Sequence, residues 1–331
     1  MIADAHVDLL LELAHREHRL GETDVFAQTW LPLLEAGEVG LQVCPVFIDL
    51  EYQPEASLRE ALRQVTALQH ALRENPDRVF QVRTGSDVDR IGSEGRIGLM
   101  LALEGVEPFG YEVATADLFW ELGLRMAGLT WNRRNPFADG AADTGGLSGL
   151  GRTLLGRFAE LGIILDLAHA SEQLFRECID SYDARLCVTH AGCRAVNDTP
   201  RNVSDEQLRE LAGRDGIFGL MLHPIAIDPA DPSIERVVDH LEHAASVIGP
   251  DRICLGSDWI RRLHELMPAP APPDGLMPPG LAVGATIAGL SGPEEYPALV
   301  EALVARGWDG ERIDGLLAGN LLRFLRESLP A

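Results

Sequence analysis

Short apolar runs alternate with longer amphipathic stretches from one end of this chain to the other, and that alternation restricts the fold more than any other feature. Eight runs read as strands: Ile2–His6, Val39–Ile48, Ile97–Leu103, Arg125–Thr130, Ile163–Leu167, Leu186–Thr189, Ile217–Leu222 and Arg252–Gly256. Most are nearly continuous in apolar residues, as strands covered on both faces of a parallel sheet must be. Helical patterns lie between them: Leu9, Leu10 and Leu13 on one face, then Ser57–Arg73, Asp117–Leu122 and Gly149–Leu161. A helix capped by Ser171 runs towards Ser181, a short one opens at Ser204, and a long one covers Ser233–Val247. Eight β-then-α units without a break in composition favour one closed (β/α)8 TIM-type barrel spanning residues 1–331. A doubly wound sheet is the rival architecture, and periodicity alone does not separate the two.

After the eighth run, residues 259–293 read as a long loop. The Pro/Gly-rich part, Met267–Pro297, exceeds an ordinary connection and reads as a surface loop or a lid. Helices over 294–328, at Glu294–Arg306 and Glu311–Ser328, close the chain.

Charge and composition exclude several classes of function. The net charge of −23 argues against a nucleic-acid partner, because phosphate binding needs a basic face. All 28 basic residues are arginine, so lysine Schiff-base chemistry, a P-loop lysine and a lysine-derived metal bridge are ruled out. No apolar run approaches the roughly 20 residues needed to cross a bilayer, and the first residues lack the pattern of a secretion signal. A cytoplasmic location without membrane partners is the expectation. The five scattered cysteines (Cys44, Cys178, Cys187, Cys193, Cys254) form no CxxC pair and read as reduced, buried residues.

The informative observation is where the metal-capable side chains fall. His6 and Asp8 end the first run, Glu104 the third, and His169 follows the fifth. His190 ends the sixth and Asp258 the eighth. Barrel enzymes draw their catalytic groups from the C-terminal ends of several strands. Taken singly, each has an ordinary alternative: a turn or cap for His6 and Asp8, a solvated charge for Glu104, a helix-start residue for His169, a core histidine for His190, a turn cap for Asp258. Their common placement at strand ends is what favours a site. Imidazole nitrogens and carboxylate oxygens are ordinary ligands of zinc and similar divalent cations. His6 and Asp8, two residues apart on a strand, share a face, and His169 and His190 on neighbouring strands are suited to a second ion. Two ions about 3.5–4 Å apart need an anionic bridge, and without lysine Glu104 is the candidate. His223, before Pro224, faces the same mouth as a candidate substrate contact. His15, His18, His70, His240 and His243 lie in helical patterns and are expected on the surface, and His264 has no assigned role.

These segments, in this order, resemble the membrane (renal) dipeptidase family of binuclear zinc peptidases, including its soluble bacterial members. The resemblance runs through Asp4-Ala5-His6-Val7-Asp8, Leu103-Glu104-Gly105, Leu129-Thr130-Trp131-Asn132 with Asn135 and Ala138-Asp139-Gly140, and Gly145-Gly146-Leu147. It continues through Gly162 to Ser171, Thr189-His190, Arg201-Asn202-Val203-Ser204-Asp205, Gly256-Ser257-Asp258 and Gly319 to Arg323. It implies an amidohydrolase-like, metal-dependent hydrolase: one Zn2+ on His6 and Asp8, another on His169 and His190, with Glu104 between them. It implies Arg201 as the group binding the substrate's terminal carboxylate, a task suited to a planar guanidinium, and Asp258 as general acid and base. The implied reaction is hydrolysis of a dipeptide, with an L- or D-residue on its C-terminal side, by a hydroxide bridging the ions. It also raises a homodimer, for which the sequence locates no interface.

One position departs from the family. Better-known members place a histidine after Leu-Thr at the end of the fourth run, whereas this chain has Trp131. Indole N–H donates one hydrogen bond and accepts none. Trp131 is therefore a candidate substrate contact that either substitutes as a neutral donor or shapes a different pocket. It keeps open an enzyme acting on an N-acyl amino acid, another amide or a lactone. A non-catalytic metal-binding homologue is the third reading, and the complete ligand set with Asp258 argues against it.

Overall fold

The computed structural model describes residues 1–267, 276, 278, 280–282 and 284–331. Among them are nine strands: β1 (Ile2–Asp4), β2 (Val39–Phe47), β3 (Val79–Gln81), β4 (Ile97–Glu104), β5 (Met126–Gly128), β6 (Ile164–Asp166), β7 (Leu186–Ala191), β8 (Ile217–Leu220) and β9 (Ile253–Leu255). All pairings between them are parallel. Eight close into a ring in the order β1-β2-β4-β5-β6-β7-β8-β9, with β9 returning to β1. The closed ring is the (β/α)8 barrel that the alternation predicts, and it removes the doubly wound alternative. β3 is the strand the sequence reading missed. It pairs with the first part of β4 (Val79↔Ile97), beneath the stretch where β5 takes over (Ala102↔Met126). With three residues, it is too short to show a period.

Strand β4 shows how the sequence sets the layers. Leu99, Leu101 and Leu103 join the core between barrel and helices, whereas Met100 and Ala102 join the core inside the barrel. The two-residue period therefore directs Glu104, the last residue of the strand, inward at the mouth. The inner core is plugged at the opposite end by the helix Asn320–Ser328, whose Leu321, Phe324 and Leu325 meet Ile217 and Cys254. That helix covers the N-terminal end of the barrel interior, and the C-terminal ends of the strands form the open mouth.

The helices begin where their caps dictate. Ser171 Oγ accepts the Leu174 N–H at 3.0 Å, and Ser204 forms a reciprocal capping box with Gln207. Arg261–Leu266 forms a helix inside the segment expected as loop, with Leu263 buried on its inner face. Of the lid expected over Met267–Pro297, residues 268–275, 277, 279 and 283 lie outside the described residues. No helix among the described residues is long and apolar enough to cross a membrane.

Candidate active site

Glu104 Oε1 faces three imidazoles from three other strands. It lies 2.7 Å from His169 Nε2, 3.4 Å from His190 Nε2 and 3.7 Å from His6 Nε2. His6 Nε2 also lies 3.9 Å from Asp8 Oδ1, and His6, Asp8 and Asp258 bring their ligand atoms within 4.8 Å of one another. The five expected metal ligands and Asp258 thus converge on one point at the barrel mouth.

Hydrogen bonds settle which nitrogen each ring offers. Thr189 Oγ1 donates to Asp166 Oδ2, so its lone pairs face His190 Nδ1 at 2.8 Å, and that nitrogen carries the proton. Asn132 Oδ1 does the same for His169 Nδ1 at 2.7 Å. In both rings Nε2 keeps its lone pair and points inward, and the two Nε2 atoms stand 2.9 Å apart.

The electrostatics are those of a cation site. Burial, aided by Arg201, pushes His6 down to about 3 and holds His169 and His190 well below the usual imidazole range, so all three rings are neutral donors. Burial also raises Asp8 and Glu104 well above ordinary carboxylates, and repulsion from Asp258 adds to both. His6 Nε2 and Asp8 Oδ1 are buried with no hydrogen-bond partner among the described residues. Orphaned polar atoms of this kind are costly. A divalent cation would satisfy both atoms and relieve the repulsion, so the donor set fits a metal.

Backbone strain concentrates at the same place. His169 (φ 62°) and Asp258 (φ 54°) are left-handed without being glycine, a conformation costing of order 1–3 kcal/mol that is typical of functional positions. Gly256 must be glycine for another reason: a Cβ there would sit 1.8 Å from the carbonyl oxygen of Thr189. Burial raises the Asp258 carboxyl to about 6, while Arg201 opposes the shift and Asp4 adds to it.

Arg201 is 5% exposed, not the solvated arginine its loop position would suggest. Its guanidinium donates to His169 Nε2 at 2.9 Å and to the His190 carbonyl at 2.8 Å. Trp131 and His223 both line the same cavity, together with Asp8, Glu104 and Asp258. Trp131 stacks edge-on against Phe47, with ring centroids 5.2 Å apart.

Sequence reasoning did not single out the carboxylates that hold the ligands in place. Asp4 accepts the backbone N–H groups of His6 (3.1 Å) and Ser257 (3.0 Å), the Ser257 hydroxyl, and Tyr296 Oη–H at 2.9 Å. Asp166 accepts Ala168 N–H (3.0 Å), Thr189 N–H (2.9 Å) and the Thr189 hydroxyl. The available signal was an aspartate closing a strand just before His6 and His169. His240 corrects an expectation: it is fully buried, since its helix, Ile234–Ile248, directs it inward beside Val237 and Leu241. His264 also lines the cavity, a place the sequence did not suggest.

Imidazoles and carboxylates gathered at the C-terminal mouth of a parallel barrel are an arrangement suited to metal-assisted chemistry. The chain belongs to the membrane dipeptidase family (peptidase family M19), which matches residues 1–267. It is 27% identical to Dipeptidase 3 of Rattus norvegicus, over 98% of this chain and 64% of that protein. It is 30% identical to Dipeptidase tcpJ of Claviceps purpurea, over 82% of this chain and 60% of that protein. The chain therefore spans somewhat less than two thirds of the length of these curated relatives. Among solved structures, the metallopeptidase dipeptidase AC superposes with a TM-score of 0.86 at 25% identity, covering 100% of this chain and 99% of that one. A metallopeptidase from Rhodobacter sphaeroides, liganded with a phosphinate mimic of the dipeptide L-Ala-D-Ala, gives 0.86 at 24% identity, covering 99% of both chains.

Proposed function

We propose that this chain is a binuclear metal-dependent dipeptidase, with zinc as its metal. The observation that carries the reading is the single oxygen Glu104 Oε1, set among His6, His169 and His190 with Arg201 alongside. His6 and Asp8 would hold one ion, His169 and His190 the other, and Glu104 would bridge them. When bound, the ions would acidify a water and polarise the scissile carbonyl.

The remaining work falls to this chain's own side chains. Asp258, strained and raised by burial, accepts the proton of the attacking water and returns it to the leaving amine. Arg201 is buried, and its guanidinium is directed at the ligand cluster, where it can fix a free carboxylate next to the cleaved bond. That anchor limits substrates to peptides whose C-terminus is one residue away. The dipeptide mimic bound by the Rhodobacter sphaeroides protein, a relative in fold, is of this class. Trp131, where the better-known relatives have histidine, contributes apolar surface to the cavity.

Metal analysis after reconstitution, followed by a dipeptide panel with and without chelator, tests the reading. Two ions per chain and chelator-sensitive release of free amino acids are expected. Fewer than one ion per chain would overturn the binuclear site. Two ions with no dipeptide cleaved would shift the reading to an N-acyl amino acid or another amide.

A further inference from the structure

In the cavity, a cluster of apolar side chains stands away from Arg201, and the ring order shows how the two are disposed. Arg201 follows β7 and touches His169 and His190 at the ends of β6 and β7. Four steps around the eight-membered ring from β7 stands β2, whose last residue is Phe47. Phe47 forms one apolar cluster with Leu11, from the helix after β1, and Leu263, from the helix after β9, and Trp131 packs against it. All four line the cavity. The wall thus runs from β9 through β1 and β2, where Phe47 stands across the ligand cluster from Arg201, to Trp131 after β5, whose ring lies 6.0 Å from that of His169.

We infer that this wall is the subsite for the substrate's amino-terminal residue, and that it selects a large, uncharged, apolar side chain, aromatic or branched aliphatic. The inference rests on the dipeptidase reading. With the terminal carboxylate at Arg201 and the scissile bond over the ligand cluster, the amino-terminal residue must extend towards Phe47. Among the described residues, the carboxylates lining the cavity are Asp8, Glu104 and Asp258, all committed to the ligand cluster or to proton transfer. No lining carboxylate among the described residues is left to pair with a basic side chain, and the four wall residues offer an acidic one a single donor, the Trp131 indole N–H. A phenyl or isobutyl group gains by leaving water for these surfaces, whereas a hydrogen at the same place leaves them uncovered.

The test is a panel of Xaa-Ala dipeptides, with Ala in both configurations and Xaa as Phe, Leu, Gly, Lys or Glu, on the metal-loaded enzyme. Phe and Leu are expected to exceed Gly in kcat/KM by about 10- to 100-fold, and Lys and Glu by at least as much. Leu263→Glu should lower the Phe substrate and raise the Lys substrate. Calorimetric titration of metal-loaded Asp258→Asn protein with the Phe and Gly dipeptides reads the wall without turnover. At least tenfold tighter binding of the Phe compound is expected there. Equal affinity, or equal kcat/KM across the panel, would overturn the apolar subsite. If no dipeptide is cleaved yet the Phe compound still binds more tightly, the dipeptidase reading falls and the apolar wall stands.

Discussion

Asp4 and Asp166 stand four strands apart in the eight-membered ring, on opposite sides of the mouth, and share three bonds of the same kind, to which Asp4 adds one from Tyr296. Each closes its strand, accepts the amide two residues ahead, and accepts both the amide and the hydroxyl of a Ser or Thr in or just after the neighbouring strand. Asp4 thereby fixes the backbone on either side of His6 and Asp258, and Asp166 fixes His169 and His190. The Asp166 clamp also controls the proton on His190, through Thr189. Thr189→Val keeps the shape and removes the hydroxyl, so His190 Nδ1–H loses its acceptor. Metal affinity should fall about 10- to 100-fold, read by competition with a chromophoric chelator. Unchanged affinity would show that the clamp is only structural.

Removing the ions should destabilise the protein as well as silence it. Without a cation, Asp8 and Glu104 repel Asp258 and one another in a buried site, and His6 Nε2 has no partner. Bound metal stabilises by mass action, about 4 kcal/mol at a free concentration 1,000 times Kd. Thermal melts with and without chelator should therefore differ by several degrees. In Glu104→Gln, which loses the shared carboxylate, that difference should shrink, and coincident melts in the wild type would count against a structural contribution from the metal.

Asp258→Asn should separate metal binding from catalysis. The amide preserves volume and cannot take a proton, so kcat should drop by about 10²–10⁴. Metal content and KM should stay within a few-fold of the wild type. An unchanged kcat would remove Asp258 from proton transfer.

Glu12 should matter more than a surface carboxylate would. It is fully buried and receives Arg16 Nε (2.8 Å), Trp30 Nε1 (2.9 Å) and Arg262 (2.9 Å). Arg262 belongs to the helix that presents Leu263 to the cavity. Removing one partner from a buried ionic cluster leaves charge uncompensated and costs roughly 3–5 kcal/mol. Denaturant unfolding of Glu12→Ala should show a loss of that size. A loss below about 1 kcal/mol would mean that the arginines are resolvated without penalty.

What the sequence revealed followed from strong local signals. Eight apolar runs appear as barrel strands because burial on both faces leaves little room for polar residues, and the polar exceptions at their ends, His6, Glu104, His190 and Asp258, stand out for that reason. β3 escaped notice because three residues carry no period. Asp4 and Asp166 were read as parts of motifs, since a carboxylate whose partners lie 23 or 253 residues away leaves no local trace. His240 was misplaced because its polarity outweighed its position, three residues after Val237 on an inward-facing stripe. The apolar wall is assembled from Leu11, Phe47, Trp131 and Leu263, which only the closed ring brings together.

His240 supplies a pH test that is independent of the metal site. Its Nδ1 accepts the Cys193 N–H and its Nε2–H donates to the Ile227 carbonyl, both at 2.9 Å, so the neutral ring is fully used. Burial pushes it down to about 4, against an ordinary value of 6.5. Below pH 6.5 the unfolded chain takes up a proton that the folded chain refuses until about pH 4, so stability is lost as pH falls through that window. Above pH 6.5 the group contributes no slope. The whole window amounts to roughly 3 kcal/mol. His240→Gln lacks this titration. It should be less stable than the wild type at pH 7.5, because the buried Cys193 amide loses a well-placed acceptor, and the gap should narrow by most of that roughly 3 kcal/mol near pH 4.5. Urea unfolding of both chelator-treated proteins at the two pH values measures it. A gap that stays constant would mean that His240 is protonated in the folded state and that the Cys193 amide finds its acceptor elsewhere.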